Sequence, residues 1–131
     1  MGKTIKEVFG LEPLPKDHEL AMFTPYLDFP IENLNVEVVE YMVMYGLYLD
    51  TFIPLAIEMI SKDPKIGHSY DFSLLVNLAR VDIPELKKYA EKIEKLVSTL
   101  EAYLHSVYDK LNKLDKEDLV DSIKVLEESL N

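Results

Sequence analysis

The stretch DIPELKKYAEKIEKLVSTLEAYLHSVYDKLNKL, residues 82–114, decides the fold. Leu86, Ala90, Ile93, Val97, Leu100, Leu104, Val107, Leu111 and Leu114 recur at alternating spacings of four and three, which is one face of an α-helix. Tyr89, Leu96 and Tyr103 widen that stripe on one flank, to the width of a helix packed in a bundle rather than a two-stranded coiled coil. Asp82 as N-cap, Pro84 in the first turn and Glu85 behind it form a helix start signal. A single helix over this span would be roughly 45 Å long at the rise of an α-helix. After it, Asp115 starts a last helix in which Leu119, Ile123, Leu126 and Leu130 repeat the pattern. The short Asn112–Leu114 region makes the two helices antiparallel neighbours.

Upstream, Asn33 or Asn35 caps a helix expected from about Val36 to Ser61. Its segment Tyr41–Leu49 carries no charged side chain for two and a half turns. Pro54 removes a backbone donor and is expected to kink it. Residues 62–68 are turn chemistry, and Asp71 starts a short helix to about Arg80 with Phe72, Leu75, Val76 and Ala79 as its apolar face. At the front, Lys3–Phe9 reads as two helical turns stopped by Gly10. Residues 11–30 then hold four of the seven prolines together with Leu11, Leu14, Leu20, Met22, Phe23, Tyr26, Leu27 and Phe29. This is an extended proline-rich arm or a long packed loop, and so apolar a loop wraps a surface, its own or a neighbour's. No strand alternation is visible. The sequence predicts an all-α protein: one domain over 1–131, with an arm at 1–30 and an antiparallel bundle of about four to five helices at 31–131.

The chain has 131 residues, suited to one core without staples, and it contains no Cys. Its formal net charge is −10, with −7 in residues 1–60 and −3 in residues 61–131. Such a chain repels phosphate backbones, so nucleic acid is a poor partner. Absence of Cys and Gln with abundant Lys and Glu follows the hyperthermophile tendency. Residues 1–7 carry no uncharged run of a secretory signal and lack the serine or threonine of a myristoylation site, so a cytoplasmic product is expected.

No motif names a reaction, and no catalytic, metal or cofactor residue is assigned. Glu37 and Glu40 share a helix face, as do Glu91 and Glu94, but a two-metal bundle also wants histidine three residues after glutamate. Glu101 and His105 are four apart, and lysines four residues away account for Glu91. Asp17-His18-Glu19 and His68-Ser69-Tyr70-Asp71 read as loop residues and caps. Arg80, the sole arginine, could make one buried pair with Asp82 or Glu85. Lys88, Lys92 and Lys95 form a face offset by Glu91 and Glu94.

The informative anomaly is the Tyr/Met/Leu run. One reading of it is a central helix surrounded by its own bundle; the other, with the arm, predicts a self-association face of Phe23, Tyr26, Phe29, Tyr41, Met42, Met44, Tyr45, Tyr48, Leu49 and Phe52, because tyrosine and methionine favour interfaces. Asp50, Pro54 and Glu58 interrupt the run before it could span a bilayer. A short chain with an apolar Pro54-containing helix, a long amphipathic helix over Asp82–Leu114, and no Cys or Gln resembles the helical coat proteins of large tailed spindle-shaped archaeal viruses. That resemblance implies a non-enzymatic virion shell of many copies, assembled in a host cytoplasm, with lipid as a further contact. Two other readings stand beside it. Glu37-Val38-Val39-Glu40 resembles the first acidic pair of all-helical nucleotide pyrophosphohydrolases of the MazG type, but Glu58 and Asp63 are too far apart for the second. The other reading is a small regulator that binds another protein by helix-in-groove contact.

Overall fold

A computed structural model describes residues 2–131. The described residues are all-helical, as expected, with seven α-helices rather than four or five and three 3₁₀ stretches. The helices are α1 (Ile5–Phe9), α2 (Val36–Met44), α3 (Leu49–Lys62), α4 (Ser73–Ala79), α5 (Ile83–Lys87), α6 (Ala90–Val107) and α7 (Lys113–Glu128).

The higher count comes from breaks inside two segments read as continuous. The first break divides Val36–Ser61 at Gly46. Asn35 caps α2 by accepting from the Val38 N–H, and Gly46 ends it in the left-handed region at φ 71. The Leu47 N–H donates to the Met42 carbonyl at 2.8 Å and the Gly46 N–H to Val43 at 3.2 Å, the paired bonds of a Schellman C-terminus. Tyr48 also takes a positive φ, 53, and its hydroxyl donates to the Glu12 carbonyl at 2.6 Å. A left-handed tyrosine costs about 1 kcal/mol of local strain, and this bond helps hold it. α3 then runs through Pro54 to Lys62.

The second break divides residues 82–114. α5 ends at Lys87, Tyr89 leaves helical geometry, and α6 spans only 18 residues. It is therefore about 27 Å long. Asp82 makes no side-chain cap bond, and Asn112, not Asp115, caps α7 by accepting from the Asp115 N–H at 2.8 Å. Leu86, Ile93, Val97 and Leu100 of the heptad stripe are buried, whereas Leu114, beyond the end of α6, is exposed. α4 likewise starts later than expected, after a left-handed, fully buried Phe72.

The helices share one core. α2 packs on α3 and α4, α3 on α6, and α4 and α6 both on α7. Val38, Met42, Phe52, Ile60, Leu74, Leu78, Ile93 and Leu126 are all fully enclosed there. Each such side chain contributes about 2 kcal/mol by leaving water. Residues 11–30 wrap this same copy. Ala21–Asp28 form a 3₁₀ helix that buries Phe23 and Leu27 in the common core. The chain then returns along α1 through a Thr4–Pro30 bridge, with the Ile5 N–H donating to Phe29 and the Ile31 N–H to Lys3.

Tyr89 joins the two halves, its hydroxyl donating to Asp50 at 3.1 Å. Burial, then the hydrogen bond and charge of Asp50, pushes the Tyr89 phenol up to about 12. A tyrosine whose pKa is higher folded than unfolded stabilises the fold fully below its unfolded value of about 10, and that share is lost as pH rises through the folded value. Tyr89→Phe is expected to flatten the fall in Tm between pH 10 and about 12, as thermal melts across that range would record.

Candidate functional site

The 3₁₀ helix and α2 lie side by side and pool their aromatic residues. Tyr41 on α2 and Tyr45, its C-cap, lie four apart and both meet the Phe23 ring. Phe23 stacks on Tyr45 at 4.5 Å between ring centroids and lies 5.8 Å from Tyr41. Tyr26 meets Phe29 edge-on at 5.4 Å and Tyr41 at 6.0 Å. Such offset and edge contacts each add about 1 kcal/mol beyond area burial, so the cluster is a firm surface. Met22, Phe23, Pro25, Tyr26, Phe29, Tyr41 and Tyr45 enclose a groove of about 420 Å³. Met22 at its lip is 71% exposed, Tyr45 43% and Phe29 39%.

Two carboxylates lie beside the groove. The Tyr26 hydroxyl donates to Glu37 at 3.3 Å, and burial, then the Glu37 charge, raises the Tyr26 phenol above its ordinary value. Asp28, beside Phe29, pairs with Lys6 at 2.7 Å. The wider setting is more one-sided still: between Lys16 and Lys62 the chain carries eight Asp and Glu and not one Lys or Arg.

Beside the groove, Glu40 is fully buried although charged side chains seldom are. Its Oε1 accepts from the His68 N–H at 3.1 Å and the Ser73 hydroxyl at 2.6 Å, and its Oε2 from the Ser69 hydroxyl at 2.8 Å. These bonds pin residues 68–73 onto α2, and the His68 ring meets Tyr41 at 5.6 Å.

The ten residues expected on a self-association face therefore separate. Phe23, Tyr26, Phe29, Tyr41 and Tyr45 come together in the groove. Met44 and Leu49 line a neighbouring cleft of about 390 Å³ with Arg80, Asp82 and Glu85. Tyr48 turns toward Glu12, while Met42 and Phe52 are fully enclosed and offer no surface. Met22, singled out by sequence only among the apolar residues of the arm, joins them at the lip of the groove.

The other candidates are dispersed. Glu40 is occupied by the loop and Glu37 by Tyr26, so the Glu37–Glu40 pair does not stand open together as the pyrophosphohydrolase reading requires. Among the described residues, no group of three or more His, Asp or Glu could hold a metal ion. His18 Nδ1 accepts from the Leu20 N–H, Asp71 pairs with Lys65, and Glu85 pairs with Lys88 while Arg80 stays exposed.

Fold and face together describe a small, acidic helical bundle with an aromatic groove on its surface. A family model described as CDI immunity proteins, where CDI is contact-dependent inhibition, matches residues 17–96, and the chain belongs to that family. No curated protein and no solved structure shows a significant match. The matched span begins with the 3₁₀ segment, runs through α2–α5 and ends within α6, so it contains the whole groove.

This membership corrects three expectations. The chain is not a coat protein of an archaeal virus, its place is not a virion, and its family points to a toxin as partner in place of a shell of its own copies. The structural reason for the misreading lies in residues 11–30 and Tyr41–Leu49. Phe23 and Met42, expected to face another copy, are buried by this one, as are their neighbours Leu27 and Leu47.

Proposed function

We propose that this chain is the antidote to a toxin, binding it one to one and blocking it by contact, without chemistry of its own. It works inside the cell under attack, where the toxin would act. The observation that carries this reading is the family match over residues 17–96. Charge supports it. A net charge of −10, with every side-chain cation missing between Lys16 and Lys62, suits a basic partner and draws it in at long range. The small helical regulator that binds another protein is thus the reading from sequence that survives.

Two measurements test it. Cells expressing the toxin domain should grow when this chain is co-expressed and stop when it is not. In vitro, toxin activity should fall linearly and reach zero at one copy of the chain per toxin. Complete inactivation by far less than one equivalent would mark an enzyme that modifies the toxin. Undiminished toxin activity at excess would remove the antidote reading altogether.

A further inference from the structure

We propose that the aromatic groove between the 3₁₀ helix and α2 is the toxin-docking face, and that it receives a protruding apolar side chain flanked by Lys or Arg on the toxin. This rests on the antidote reading above and adds where and by what chemistry the toxin is held. A contiguous surface of Met22, Phe29 and Tyr45 is left open to solvent in a protein whose other large apolar side chains are mostly enclosed. Aromatic anchors in a preformed pocket are what binding hot spots are made of. The pocket is preformed here: Phe23 and Leu27 root the 3₁₀ helix in the core, and the Thr4–Pro30 bridge fixes its exit. Little ordering is then left for binding to supply.

Charge decides the occupant. Glu37 bonds to a groove tyrosine without a cation paired to it, and no residue lining the groove is a cation; Asp28, next to Phe29, is already paired with Lys6. A second copy would bring another Glu37 and the same net charge of −10 against this one, and like charges across an interface oppose association. A basic toxin surface would instead be drawn to both.

The test titrates the cognate toxin domain with full-length chain by calorimetry. Met22→Ala and Tyr45→Ala are each expected to weaken binding roughly tenfold or more. Glu37→Gln should weaken it at low salt, and the difference should vanish at about 0.5 M NaCl. Leu114→Ala, an exposed leucine at the start of α7, should bind as the wild type does. Unchanged circular dichroism melts exclude misfolding as the cause. If the wild type binds and Met22→Ala and Tyr45→Ala bind equally well, the groove is not the face, and the antidote reading stands without it. If the wild type does not bind, both fall. If these variants alter only self-association in light scattering, the occupant is a second copy and the proposal is overturned.

Discussion

Glu40→Ala is expected to lower the Tm by roughly 10 °C, the largest effect of any change at the molecule's polar positions. The substitution removes the acceptor of three hydrogen bonds: the buried Ser73 hydroxyl loses its partner inside the protein, and the exposed His68 and Ser69 lose the anchor that holds their loop on α2. Orphaning a buried donor costs about 1–3 kcal/mol and freeing the loop adds to it, so the net loss is about 3 kcal/mol. Glu40→Gln keeps the shape and one acceptor oxygen while placing an amide donor against a hydroxyl, and should cost about half as much. Thermal denaturation of the two variants side by side checks the argument: equal losses would mean that shape, not hydrogen bonding, holds the loop. Because Tyr41 touches the His68 ring, Glu40→Ala should also loosen one wall of the aromatic groove.

Gly67→Ala is expected to be nearly as damaging, by about 2 kcal/mol, for a reason of space. A Cβ at this position would collide with the Tyr70 carbonyl and the Ser73 hydroxyl, and would lie 2.8 Å from the Ser73 backbone nitrogen. Two of those obstacles are main chain and cannot swing aside, so residues 67–73 must shift and pull Ser73 from Glu40. Combining Gly67→Ala with Glu40→Ala should therefore cost clearly less than the sum of the two, since both break one network. Additive losses in a double-mutant cycle would show that glycine and glutamate act separately.

Much of the fold was legible because its cause is periodic. Leu86 to Leu104 at spacings of four and three announce a core-facing helix whatever their neighbours do. The same regularity concealed the break at Tyr89. α5 and α6 pack on one core, so the apolar spacing persists across the interruption, and the bond from Tyr89 to Asp50 is not visible along the chain. Gly46 was the better guide than Pro54. A glycine in an apolar run can end a helix in the left-handed region, whereas α3 carries its proline to Lys62. Glu40 carried a readable warning: Val36 and Val43, one turn to either side, put it on the apolar face, where a carboxylate needs buried partners. Its partners, Ser69 and Ser73, lie about thirty residues on and no local rule supplies them.

The groove was half legible. Phe23, Tyr26, Phe29, Tyr41 and Tyr45 stood out by type, but the expectation gave them to another copy of the chain because an apolar surface says that it wants covering and not by what. Charge says by what. A net charge of −10, with Glu37 beside the groove and no cation lining it, disfavours pairing with a like copy and favours a basic partner.

Amide hydrogen exchange of the chain, alone and saturated with its cognate toxin domain, interrogates the docking face without any substitution. Slowed exchange in complex, centred on residues 21–29 and on 41–48, is the expected outcome. Slowing confined to α7 and the end of α6, with the 3₁₀ helix and α2 exchanging as in the free chain, would contradict it.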